Sequence, residues 1–249
     1  MINFFKIYDN AIPDVFCDEA ISFFEEHGNL TEDGIVAGSK ESYKKIKKVA
    51  KNTIELDLSS LLNNRGADEY QDIKKLHDIF NKHSIEYSSK YLYDDNYIEE
   101  GDHSNWNDIV EYLKSRDSLF SNRNVKIGNF LPDVEKIVTS GYRIKKYNKN
   151  SGYYNYHSDP AWAEVSLGEN RWRVGEGEYL SNIRFLSVIM YLNTVDDGGE
   201  TTFPLIPIKI KPVKGRVAVF PTHWTYLHKA EPPMSSDKYS MNTFVSIVV

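Results

Sequence analysis

Residues 184–193 read RFLSVIMYLN, a run dense enough in apolar and aromatic side chains for a strand buried on both faces. The texture continues outward from it. Arg143–Tyr147, Ile206–Ile210, Arg216–Pro221 and Tyr239–Val249 are four further strand candidates. Asp197-Gly198-Gly199, Lys214-Gly215 and Pro232-Pro233 punctuate them with turn signals. Short strands at such intervals predict a sandwich or jelly roll from Gly141 onward. Upstream of about Asp133 the apolar period lengthens to that of helices. Asp14 can cap a helix through Cys17, Ile21, Phe23 and Phe24 that ends near Gly28. Asp68–His83 sets Ile73, Leu76, Ile79 and Phe80 on one stripe, and a third helix is predicted around Asn107–Leu113. The tyrosine-rich stretch Tyr87–Tyr97 reads as loop. The expectation is an α+β chain with one domain over 1–249, mainly helical at 1–135 and strand-built at 141–249.

A chain of 249 residues, 41% hydrophobic and 27% charged, can bury one sizeable core. Its net charge of −6 disfavours a nucleic-acid partner, because tracking phosphates calls for a basic surface. The only cysteine is Cys17, which excludes an intrachain disulfide and a Cys-x-x-Cys zinc site. The opening MINFFKIYDNAIPDVFCDEA lacks the basic start, apolar run and cleavage site of a signal peptide. No stretch approaches the roughly 18 apolar residues of a membrane span. A cytoplasmic protein without a membrane partner is expected; oligomeric state is not legible.

His157-Ser158-Asp159 carries the first chemical signal. In an extended segment residues i and i+2 share a face, so imidazole and carboxylate can converge on one ion. A surface turn closed by an Asx bond from Asp159, just before Pro160, reads the same residues without chemistry. Two histidines and one carboxylate form the facial cage of oxygen-activating non-haem iron, which leaves coordination positions open. The downstream candidates are His223 and His228. His228 opens a strand after Arg216–Pro221, whereas His223 sits in the intervening loop and reads as an ordinary loop histidine. A 2-oxoacid held on such iron leaves its far carboxylate buried and in need of a cation. Lys238 opens the final strand, where Ser240, Asn242, Phe244 and Ser246 share its face. The alternative is a solvated turn lysine beside Ser235-Ser236-Asp237.

These residues also have a family likeness. Tyr154–Asp159 (YNYHSD), Tyr191-Leu192-Asn193, Gly198–Pro204 (GGETTFP), Lys214–Pro221 (KGRVAVFP) and His228 with Lys238 follow one another in a familiar order. Together they resemble the prolyl 4-hydroxylase-like branch of the 2-oxoglutarate/Fe(II)-dependent oxygenases. Phe5–Glu26 resembles that branch's opening strand and helix. The resemblance implies a double-stranded β-helix (jelly-roll) core flanked by N-terminal helices. It implies His157, Asp159 and His228 as iron ligands. Lys238 matches the partner of the 2-oxoglutarate distal carboxylate, with Thr201, Tyr147 and Tyr191 at cofactor positions beside it. Tyr154, Arg184 and Phe244 match positions of a peptide-substrate groove. Two departures stand out: Tyr147 lies one residue further from His157 than usual, and Phe244 replaces a tryptophan, keeping the ring but losing an N–H donor. The long interval between Asp159 and Arg184 is expected to form a loop over the site.

The implied activity is a dioxygenase that hydroxylates prolyl residues of a peptide or protein and releases succinate and CO2. It requires Fe(II), 2-oxoglutarate and O2, with ascorbate as reductant. Asp159 speaks against halogenation, since halogenating relatives carry a small residue there. A free amino acid or small metabolite is the alternative substrate. A non-catalytic jelly-roll binding module and a zinc hydrolase are the rival classes, and neither gives Lys238 a role.

Overall fold

The computed structural model describes residues 5–34, 50–63, 66, 68–93, 137–159, 171–174, 178–181 and 183–247. In chain order, β1 (Lys6–Tyr8) leads into helix α1 (Asp14–Glu26), followed by β2 (Glu32–Asp33), β3 (Lys51–Asn52) and β4 (Ile54–Asp57). Two helices come next, α2 (Leu58–Leu61) and α3 (Tyr70–Tyr93). Then follow β5 (Ile137–Tyr147), β6 (Tyr153–His157), the hairpin β7 (Arg171–Val174) and β8 (Glu178–Ser181), and β9 (Ile183–Tyr191). The last strands are β10 (Thr201–Phe203), β11 (Ile208–Ile210), β12 (Val217–Pro221), β13 (His228–Ala230) and β14 (Lys238–Ile247).

The strands form a seven-stranded sheet, β1-β12-β9-β14-β5-β4-β2, facing a five-stranded sheet, β11-β10-β13-β6-β3. Their pairings are antiparallel. This is the expected jelly-roll core with N-terminal helices. The period-two alternation along β14 separates two environments. Tyr239, Met241 and Val245 join a cluster with Leu186, Val188, Met190, Phe16, Phe24 and Phe80, which fills the space between the large sheet and the helices. Facing the other sheet, Phe5, Phe203, Phe220 and Tyr226 pack with Ile189 and Tyr191 inside the roll. Lys238, Ser240, Asn242 and Phe244 line a cavity on that inner side. The expected shared face of this strand is therefore the inner one. An extra residue on β5 opposite Asn242–Phe244 leaves the face of β14 undisturbed, and Gly141, at φ +74°, takes up the bulge.

Several local expectations are corrected. Pro13, not Asp14, stands at the N-cap of α1 and no side chain caps it; Asp14 lies in the first turn, where its charge complements the helix dipole. Helix α3 runs ten residues beyond His83, so Tyr87–Tyr93 is helical rather than loop. The reason is that Tyr87 and Tyr91 continue the buried stripe of Ile73, Leu76 and Phe80, and Tyr87 Oη donates to the Ala11 carbonyl at 3.1 Å. The first 135 residues also contribute strands β1–β4, which extend the edges of both sheets. Four residues of β4 with charged Glu55 turned inward carry too short and too polar an alternation to read as strand. The predicted helix at Asn107–Leu113 lies outside the described residues. So does most of the interval 160–182, whose described parts pair as β7 and β8. Among the described residues no helix is long and apolar enough to cross a membrane.

Candidate metal centre

β6 ends at His157 and β13 opens at His228, and the two are register partners across the small sheet. Antiparallel pairing thus sets the imidazoles side by side, with ring centroids 4.2 Å apart. Asp159 lies just past β6, where its backbone N–H donates to the Thr222 carbonyl at 3.2 Å and ties the turn to the end of β12. Ser187 on β9 donates to Asp159 Oδ2 at 2.6 Å and holds the carboxylate toward the histidines. His157 Nε2 and His228 Nε2 each lie 3.7 Å from an Asp159 oxygen.

The donor chemistry fits a metal ion. Nδ1 of His157 is 2.8 Å from the Asn155 carbonyl, and Nδ1 of His228 is 3.0 Å from that of Tyr226. A carbonyl only accepts, so each Nδ1 carries the proton and each Nε2 presents a lone pair to the centre. One ligand atom from each of His157, Asp159 and His228 lies within 4.8 Å of the others. The two 3.7 Å separations between imidazole nitrogen and carboxylate oxygen lie within the reach of an ion with bonds of about 2.1 Å to each ligand. Burial, reinforced by neighbouring His228, pushes the His157 pKa down to about 3, so its ring is neutral and free to ligate. Burial by itself raises the carboxyl pKa of Asp159, yet the two imidazoles, Ser187 and Lys145 outweigh it and hold the group ionised.

The cavity beside this trio has an empty volume of about 440 Å³ including its solvent mouth. Lys238 lies at its inner end, 2% exposed, and donates to the Gly199 carbonyl at 2.7 Å. Gly198 and Gly199 both have positive φ, and a Cβ on Gly198 would stand 2.4 Å from the Pro232 carbonyl oxygen, so this turn requires glycine. The Lys238 ammonium faces the rings of Tyr147 at 4.8 Å and Tyr191 at 5.4 Å. Tyr191 Oη and Thr201 Oγ1 share a 2.8 Å hydrogen bond. Burial drives the Lys238 pKa down to about 7. Such a cation is poised for an anion that would restore its charge.

Tyr154 stacks on His157 with centroids 3.5 Å apart, and Phe244 lines the opposite wall. Arg184 does not line the cavity; its guanidinium carbon sits 4.0 Å above the Phe244 ring. His223 is exposed on its loop, where Nδ1 meets Thr225 Oγ1 at 2.6 Å. Sequence reasoning missed Ser187 and Lys145, which also line the cavity. Lys145 was findable, because alternation along β5 puts it on the face of Tyr147, opposite apolar Ile144. Ser187 had no such signal, since its role depends on a contact across 28 residues.

Residues 142–246 match the family model of the 2OG-Fe(II) oxygenase superfamily. No curated protein matches the chain. Among solved structures, a viral collagen prolyl hydroxylase from Paramecium Bursaria Chlorella virus-1, in its 2OG complex, is 18% identical with a TM-score of 0.50, over 99% of this chain and 97% of that one. A prolyl hydroxylase from Trichoplax adhaerens, in complex with a hypoxia inducible factor peptide fragment, is 17% identical with a TM-score of 0.51, over 98% and 84%. At such identities the likeness establishes the fold.

Proposed function

We propose, from a core at residues 142–246 that belongs to the 2OG-Fe(II) oxygenase superfamily, that this protein hydroxylates prolyl residues of a peptide or protein while 2-oxoglutarate becomes succinate and CO2. The observation that carries the reading is the pairing of two functions in one cavity: the His157, Asp159 and His228 donors at one part of its wall and the buried Lys238 ammonium at another. A zinc hydrolase or a binding module leaves that lysine without a task.

In this reading His157, Asp159 and His228 hold Fe(II), which when bound supplies the activation of O2. Ser187 fixes the Asp159 carboxylate. Lys238 receives the distal carboxylate of 2-oxoglutarate, with Thr201 and Tyr147 beside it and Tyr191 orienting Thr201 through their hydrogen bond. Tyr154 and Phe244 form the walls against which the substrate rests, and Arg184 braces Phe244 from outside. The related fold in complex with a peptide fragment supports a peptide substrate. A single domain over 1–249 belongs to the same proposal, with α1 and α3 buttressing the outer face of the large sheet.

The test is succinate release with Fe(II), ascorbate as reductant and O2, over a panel of proline-rich peptides and free amino acids. Hydroxyproline formed in step with succinate is the expected result. Metal binding without 2-oxoglutarate-stimulated oxygen consumption, across the whole panel, would overturn it.

A further inference from the structure

Beyond its part in keeping Asp159 ionised, Lys145 is the cavity residue to which this reading gives no ligand. It is 8% exposed and lines the cavity. Among the described residues its ammonium forms no hydrogen bond and no ion pair within 4 Å; it faces the Tyr154 ring at 5.7 Å. A lysine so withdrawn from water normally has a carboxylate beside it. The nearby carboxylates, Glu55 and Asp57, are two against three cations: Lys145 is foremost among the groups that lower the Glu55 pKa, and Glu55 Oε2 has no hydrogen-bond partner, but Lys51 and Arg143 draw on the same two groups. Glu55, its register partner on β4, is 2.5 Å from Lys51 Nζ, accepts from Thr53 Oγ1 at 3.0 Å and lies 3.5 Å from Arg143. Asp57 is paired with Arg143 at 2.9 Å.

A charge inventory points the same way. A divalent ion and Lys238 together balance ionised Asp159 and the doubly charged oxoacid, so the loaded site is neutral before Lys145 is counted. Lys145 leaves one positive charge over. Lys238 stands on β14 opposite Tyr147, whereas Lys145 stands two residues earlier on β5, opposite Ser240 and under Tyr154.

Building on the prolyl hydroxylase reading, we propose that Lys145 is a specificity-determining residue that receives a carboxylate of the primary substrate, so that the preferred prolyl unit is anionic. The carboxylate can be the main-chain group of free proline or of a C-terminal proline, or the side chain of an acidic neighbour. A neutral, internally placed proline leaves the ammonium with no more than its share of Glu55.

The experiment is calorimetric titration of the protein loaded with Mn(II) and 2-oxoglutarate under argon. The ligands are free proline, a short peptide ending in proline, its C-terminal amide, and that amide with glutamate beside the proline. A charge-assisted hydrogen bond in a dry site makes the carboxylate-bearing ligands bind about 10- to 100-fold tighter than the neutral amide. Which of them gains identifies the source of the carboxylate. Lys145→Met is expected to erase the difference and Lys145→Arg to restore much of it, with 2-oxoglutarate affinity little changed. Equal affinity of wild type for acid and amide overturns the inference, a comparison that needs no variant to fold. So does a Lys145→Met protein that loses 2-oxoglutarate instead of the acidic ligand. Equal binding with hydroxylation of the amide sinks the role of Lys145 and spares the prolyl reading. A preference for acids without hydroxyproline under O2 does the reverse, and absence of binding by every ligand removes both.

Discussion

The two faces of the large sheet share strands and even alternate residues, yet they are built on opposite terms. Outward, Met241, Val245, Met190 and Val188 are sealed against the helices, and any neighbour of the right volume serves. Inward, on the same strands, Lys238, Ser240 and Ser187 are as deeply buried, but each polar atom there must meet a particular partner. Burial on the outer face stabilises the fold through the removal of apolar area from water. On the inner face it imposes a desolvation cost, which the site tolerates because anions and a cation are expected there. Depth alone therefore says nothing about role; the polarity of what is buried does.

The comparison is broken most severely on the inner face. Asp159→Ala is expected to cut turnover at least a hundredfold or so, since even outer partners of metal ligands are worth about 10- to 100-fold. The thermal midpoint should hold or rise, because a buried carboxylate has been removed. Succinate release and a melting curve check both halves. A collapse of the fold would mean that this face supports stability after all.

Lys238→Met comes next. Removing one member of a buried charge pair costs about 3–5 kcal/mol, so KM for 2-oxoglutarate should rise by roughly two to three orders of magnitude. Stability of the ligand-free protein should not fall, methionine being the better guest in a dry site. The pH dependence carries a signature. With the folded pKa near 7 and the ordinary value 10.5, the unfolded chain holds the extra proton between those limits. Stability from this group therefore rises with pH across that window and is flat below it. In Lys238→Met that contribution to the slope disappears, as urea unfolding at pH 6, 8 and 9.5 can establish. Affinity for 2-oxoglutarate runs the other way, weakening as pH rises past about 7 and the ammonium is lost.

The outer face was far more legible in the sequence than the inner. Strands dense in Val, Ile and Met announce themselves through composition, and RFLSVIMYLN needed no tertiary knowledge. The helix stripe failed only where tyrosine replaced aliphatic residues, at Tyr87 and Tyr91, because a ring with a hydroxyl reads as readily as loop. His157, Asp159 and His228 could be gathered by order and spacing, although what joins them is a register pair between β6 and β13 that spacing does not encode. Lys145 and Glu55 escaped notice because a charge inside a short strand contradicts the pattern by which inward faces are recognised. Lys51 escaped for the same reason, its burial depending on a partner four residues away.

On the outer face the corresponding break is Met241→Ala. Met241 is fully buried, and deleting its side chain should cost about 2–5 kcal/mol, the range for a large-to-small change that leaves a cavity. Mn(II) affinity should stay within about twofold, since the metal donors stand on the other sheet and on the turn after β6. A loss of metal binding in step with stability would mean that the two faces are coupled through β14.

The smallest effect is expected at His223, and it tests the comparison at its edge. His223 and His228 lie five residues apart on the same connection, so sequence proximity alone gives them equal claim to a ligand. Their surroundings differ as the two faces do. His228 is 5% exposed, packed against Phe220 and Phe203, with Nδ1 committed to a carbonyl and Nε2 aimed at Asp159. His223 is exposed and its nearest polar partner is Thr225 on its own loop. An exposed side chain with one local hydrogen bond contributes little, so His223→Ala should shift stability by no more than about 0.5 kcal/mol and leave Mn(II) affinity unchanged. His228→Ala should abolish that affinity. The reverse pattern would move the third ligand out of the roll and onto its surface, and a centre assembled there would have no reason to share a cavity with Lys238.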